Sequence, residues 1–114
     1  MEINMEVIQQ LEKARNLIID FKNWKRGWPT IKERNNGIHC SLTAIYDADS
    51  VPKHNYLAMN SLLMEAMKEI DPPETNYRFA IDVWNDTHTH EQVINAFNKA
   101  IELAWKTYKI ENTI

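Results

Sequence analysis

An apolar ladder near the C-terminal end constrains this chain most: Val93, Ile94, Phe97, Ala100, Ile101, Ala104, Trp105 and Tyr108 recur at steps of three and four residues. The spacing predicts one long amphipathic helix from about His90 to Tyr108 or Lys109, whose stripe has to be buried against other elements. Directly before it lies a polar knot, Trp84-Asn85-Asp86-Thr87-His88-Thr89-His90-Glu91-Gln92. Thr89-His90-Glu91-Gln92 fits the Thr-x-x-Gln capping box, in which hydroxyl and amide side chains satisfy the unpaired N–H groups of a helix start.

Two more stretches share the helical period. Val7, Leu11, Ala14, Ile18 and Phe21 predict a helix over Glu2 to about Phe21, ended by Asn23-Trp24-Lys25-Arg26-Gly27-Trp28-Pro29. Met59, Leu63, Ala66, Met67 and Ile70 predict another over His54 to Ile70, stopped by Asp71-Pro72-Pro73. Cys40 to Ala48 reads as a small-residue helix closed by Asp47 to Pro52. Asn36-Gly37, in a polar stretch, predicts a short β-hairpin or an ordered loop near residues 30–39. Residues 77–84 fit both periods, and a helix capped by Thr75 is favoured because a lone strand would have no partner. The expectation is mainly α: a single compact domain, 1–114, of four to five helices with a short β-hairpin or ordered loop.

With 114 residues the chain is long enough to bury one sizeable core, and four Trp, four Tyr, three Phe and five Met supply bulky material for it. Thirteen basic against sixteen acidic residues, with no basic stripe, argue against duplex nucleic acid as a partner. Cys40 is the only cysteine, which excludes an internal disulfide and fits a reducing compartment. Met1 to Glu6 lacks the charge and apolar run of a signal peptide, and no stretch reaches membrane-spanning length. A soluble, cytoplasmic protein without a membrane partner is expected.

Several features together resemble an uncharacterised bacterial and phage domain family of unknown function. They are the N-terminal helix, the aromatic-Gly segment Trp24-Lys25-Arg26-Gly27, the turn glycine Gly37, Cys40-Ser41-Leu42-Thr43-Ala44, and Asn85-Asp86-x-x-Thr89-x-x-x-Val93 leading into the last helix. The pattern spans roughly residues 5 to 105. It departs at Thr43, where the family often carries glycine. The resemblance implies a compact cytoplasmic domain associated with phages or mobile elements, and it brings no established activity.

Candidate sites divide between chemistry and plain structure. Asp86, His88 and His90 alternate and in an extended conformation would approach one metal ion; in the capped alternative His90 is already helical and turns away from His88. Asn85 and Asp86 either hold a ligand or form an Asx-type turn, a ligand role requiring a carboxylate that faces a cleft. Trp24, Lys25, Arg26 and Trp28 either stack and neutralise a small anionic ligand such as a nucleotide or plug the end of a bundle. Adjacent His39 and Cys40 diverge on a helix and make a poor base–nucleophile pair, so Cys40 is expected to be a buried small residue. No Ser-His-Asp elbow, Gly-rich phosphate loop or His-Glu-x-x-His helix is present.

These features favour a non-enzymatic binding module without cofactor, a phage-type accessory protein that binds a host protein stoichiometrically. The alternatives are a binder of a small anionic or nucleotide ligand through Trp24, Lys25, Arg26 and Trp28, and a metal-dependent hydrolase using Asp86, His88 and His90. Homo-oligomers remain open, with Trp105 and Tyr108 as the aromatics to watch, unless these pack on the first helix.

Overall fold

A computed structural model gives the architecture and describes residues 3–49, 54–72 and 79–113. The long C-terminal helix, α6, spans His90–Glu111 and opens with the expected capping box. The Thr89 hydroxyl accepts from the Gln92 N–H at 3.2 Å, and the Gln92 side-chain oxygen accepts from the Thr89 N–H at 3.0 Å. Val93, Ala96, Phe97, Ala100, Ile101 and Ala104 are buried on one face. Alanines at 96, 100 and 104 stack along that face and let neighbouring helices approach closely.

Those neighbours are α1, Met5–Ile18, and α4, Tyr56–Ile70, both packed along α6. Asn4 starts α1 by accepting from the Val7 N–H at 3.0 Å, and Val7, Ile8, Leu11, Ala14 and Ile18 face inward. Met59, Leu62, Leu63, Ala66 and Met67 do the same on α4. The short α3, Ser41–Ala48, lies against α1, and α5, Ile81–Thr87, touches α3 and α4. Burying a Leu, Ile, Met or Phe side chain contributes about 1.5–3 kcal/mol, so this α1–α4–α6 core dominates stability.

Several expectations change. Residues 30–39 form no hairpin: Thr30 caps α2, Ile31–Asn35, in a box with Glu33. Gly37, at φ 83°, follows this helix, its N–H bonding Arg34 O at 3.0 Å while the Ile38 N–H bonds Glu33 O at 2.9 Å. That is a Schellman helix stop, so the Asn-Gly signal was spent on a helix end rather than on a strand reversal. Among the described residues there is no strand, only a parallel bridge between Trp24 and His39. With α2 added, the described helices number six.

The first helix stops at Ile18, because the Asp20 side chain takes the Lys22 N–H at 3.1 Å and caps a separate 3-10 turn, Phe21–Asn23. Phe21 is thereby 68% exposed instead of buried. The helix expected over 77–84 begins only at Ile81, since Ala80 is extended; Thr75 and residues 77–78 lie outside the described residues. Trp105 and Tyr108 are half-buried against the core and meet edge to face at 6.0 Å, so neither is an open aromatic. No helix among the described residues is long and apolar enough to cross a membrane.

Candidate functional site

Asn85 is fully buried and is the polar centre of the molecule. Its side-chain oxygen accepts from Trp24 Nε1 at 2.8 Å, from the Ser41 N–H at 3.0 Å and from Ser41 Oγ at 2.6 Å. Its amide nitrogen donates to Lys25 O and to Asp86 Oδ1, both at 3.1 Å. Asp86 in turn accepts the Gly27 N–H at 2.6 Å. Gly27 has φ 79°, a backbone state that side chains other than glycine rarely adopt. Three segments far apart in sequence therefore meet at one amide: the aromatic-Gly loop, the start of α3 and the end of α5.

This arrangement gives the dipeptide a structural task. Both hydrogen-bonding ends of Asn85 are occupied, and one Asp86 oxygen is tied to two donors. Asp86 lines none of the grooves described below. The pair is a latch that closes the loop onto α5, a tertiary version of the turn role expected for such residues.

The two conspicuous histidines are kept apart. His88 lies flat on the Trp84 indole, with ring centroids 3.6 Å apart and planes at 9°. Its Nδ1 faces Trp84 O at 2.7 Å and its Nε2 faces Asp71 Oδ2 at 2.6 Å. Carbonyl and carboxylate oxygens only accept, so the ring donates wherever it carries a proton. Thr87 Oγ1 lies 3.1 Å from Nδ1, but it donates to Val83 O at 2.9 Å, and this hydroxyl is therefore not set up as an activated nucleophile. His90, the first residue of α6, turns away and its Nε2 donates to Ile18 O at 2.7 Å. Asp86, His88 and His90 thus serve three different partners. Among the described residues no group of three or more His, Cys, Asp or Glu converges on a common point.

Trp24, Lys25 and Arg26 do come together, in a groove of about 450 Å³ that they share with Phe21, Thr89 and His90. The Phe21, Trp24 and His90 rings are mutually 5.4–6.1 Å apart. Arg26 lies 5.9 Å from the Trp24 ring centroid and donates to His88 O at 2.8 Å. Lys25 is committed elsewhere, its ammonium 3.1 Å from both Glu33 oxygens. The Thr30 backbone, and after it this ammonium, holds the Glu33 carboxyl below its usual range. Trp28 does not join this groove. It is 62% exposed and borders a second one, about 350 Å³, with Arg34, Leu42, Thr43, Tyr46 and Tyr56.

The family model described as a family of unknown function, DUF6197, matches residues 3–103. The chain belongs to this family. No curated protein and no solved structure matches it. The matched span contains the whole latch of this DUF6197 domain, from Trp24 and Gly27 through Ser41 to Asn85 and Asp86, as well as both grooves.

Several structural partners in this DUF6197 domain carry no signal in the sequence. Ser41 supplies two of the three donors to Asn85, and nothing in a lone serine signals that. Arg34 grips Asp47 through Nε at 3.2 Å and Nη2 at 2.5 Å, while His39 Nδ1 lies 3.4 Å from the same carboxylate. Burial pushes the His39 imidazole below its ordinary pKa; Asp47 opposes that and Arg34 adds to it. His39 also approaches Thr43 Oγ1 at 3.3 Å, and that hydroxyl accepts the Cys40 N–H at 3.1 Å, so Thr43 caps α3. Cys40 is buried, as expected of it.

Proposed function

We propose that this domain is a small cytoplasmic binding module, without a reaction of its own, that acts by stoichiometric binding of a protein partner. The resemblance of its sequence to phage and bacterial domains supports an accessory protein of a mobile element directed at a host protein. The observation that carries the reading is the surface around the second groove. Trp28 is 62% and Tyr46 46% exposed, and Tyr46 meets Tyr56 edge to face at 5.8 Å beside Arg34. Trp, Tyr and Arg are the residue types that dominate binding energy at protein interfaces. The polar residues a reaction would recruit, Asn85, Asp86, His88 and His90, are meanwhile engaged within the fold.

Affinity capture from host lysate with native protein and with Trp28→Ala tests this. A partner enriched by the native protein and reduced at least tenfold by Trp28→Ala, with unchanged circular dichroism, is the expected result. Equal capture by both proteins would sink it, as would turnover of a phosphoester or ester panel that vanishes in Asp86→Ala.

A second reading has its own support. The Phe21–Trp24–His90 rings, with Arg26 beside them, offer stacking faces and a cation to a nucleotide or similar anion. With Lys25 neutralised by Glu33 and Trp28 in the other groove, it rests on Trp24 and Arg26. Thermal-shift titration with nucleotides, repeated on Arg26→Ala, separates it from the first: stabilisation that depends on Arg26 supports it, and a flat response to millimolar nucleotide refutes it.

A further inference from the structure

The second groove runs between the helical body and a thin strap. Trp28 and Arg34, on the segment that contains α2, form one side; Leu42, Thr43 and Tyr46 on α3 and Tyr56 on α4 form the other. No residue of α2 is buried, so apolar packing does little to hold it. Beyond its own cap, its side-chain bonds are Glu33 to Lys25 and Arg34 to Asp47. Among the described residues, only the second of these reaches across to α3. The two sides of the groove are therefore clasped at the Asp47 carboxylate. His39 meets the same group: Asp47 Oδ2 lies 3.2 Å from Arg34 Nε and 3.4 Å from His39 Nδ1. Thr43, part of the groove, has its hydroxyl 3.3 Å from that ring nitrogen.

Asp47 serves one cation while His39 is neutral, and two once the ring takes a second proton. The charged groups acting on this buried ring are Asp47 from α3, which favours the proton, and Arg34 from α2, which opposes it. The Cys40 thiol, 3.7 Å from Thr43 Oγ1, completes the titratable cluster; Lys25, whose N–H bonds His39 O, keeps its ammonium on Glu33. Burial first, and Arg34 after it, hold the ring below its ordinary pKa. Such coupling is reciprocal, so a cation that disfavours the proton is itself disfavoured once the proton is bound. We propose that His39 is a proton-operated release for α2: its second proton draws Asp47 Oδ2 from Arg34 Nε and loosens one side of the second groove. The groove keeps its shape above neutral pH and loses it in acid. As a control on partner binding this rests on the protein-binding reading; the release itself does not.

Nitrogen-15 labelled full-length protein, titrated from about pH 8 to about pH 5 without any partner, tests the release. The readouts are the His39 ring nitrogens, the Arg34 Nε–H peak and the Trp28 and Trp105 indole peaks. The Arg34 and Trp28 peaks should shift with one midpoint, shared with the His39 ring and lying below pH 6.5. Trp105, packed against the core on α6, should stay in place. In His39→Gln the Arg34 and Trp28 peaks should hold still over the same range. If that variant folds poorly, the shared midpoint in the native protein decides alone. A fixed Arg34 peak, different midpoints for Arg34 and His39, an equal shift in His39→Gln, or Trp105 moving together with Trp28 would each overturn the inference. These peaks report on the clasp and lysate capture reports on the partner, so failure of the release and failure of the binding reading are told apart.

Discussion

Replacing Asn85 by alanine probes the reasoning about the latch most directly. The substitution removes a side chain that accepts from Trp24 Nε1, Ser41 N and Ser41 Oγ and donates to Lys25 O and Asp86. Ser41 is fully buried, so its N–H loses its partner where water cannot replace it, a penalty of about 1–3 kcal/mol. The Trp24 indole and the Lys25 carbonyl are partly accessible, and together they add about 1–2 kcal/mol. The Ser41 hydroxyl can rotate and contributes least. The expected loss is about 2–5 kcal/mol, a large share of the 5–15 kcal/mol typical of a domain. Urea unfolding followed by far-ultraviolet circular dichroism should show the midpoint falling at constant slope, and thermal unfolding should drop by about 4 °C per kcal/mol. Asp86→Ala, which leaves Asn85 in place, should cost only about 1 kcal/mol. A loss below 1 kcal/mol in Asn85→Ala, or a larger loss in Asp86→Ala, would show that the latch is not what holds the loop.

Four further outcomes follow from the same structure. Phe97→Ala, fully buried where α6 enters the core, should cost about 3–5 kcal/mol in equilibrium unfolding. Gly37→Ala should cost about 1 kcal/mol from backbone strain alone, since φ is 83° and the added Cβ meets nothing within 4 Å. Thr89→Ala should lose about 1 kcal/mol through the α6 cap, read by the same unfolding curves. His39 gives a pH signature. Its folded pKa lies below the ordinary 6.5, so the unfolded chain takes the proton more readily. The stability it contributes is complete above that value and is lost as the pH falls towards the folded value. Unfolding free energy should therefore decline from about pH 7 to about pH 5 more steeply in the native protein than in His39→Gln.

The helices could be read from sequence wherever one physical signal dominated. Apolar periodicity placed α1, α4 and α6, and the Thr89 and Gln92 side chains marked the start of α6 to the residue. Errors arose where one local signal served two structures. Asn36-Gly37 suits a hairpin turn and a Schellman stop equally well, and the deciding residues were Thr30 and Glu33, a capping box seven residues upstream. Phe21 kept the period of α1, but Asp20 offered the backbone a competing bond and turned the ring outward. For the candidate site, the residues themselves were legible while their partners were not. Nothing near Asn85 in the chain announces that Ser41 and Trp24 will donate to it, or that His88 will meet Asp71, because such pairs form only once helices have packed.

Asn85 joins positions 44 and 61 residues away, so it has no local route to its hydrogen bonds. Contacts of that sequence separation close late in folding, after their loop entropy has been met by collapse of the helices around them. The Ser41 amide should consequently exchange its proton with solvent only through cooperative opening of the whole domain, while amides in the exposed last turn of α6 exchange through local fraying. One backbone proton thus becomes a clock for global unfolding, readable without denaturant.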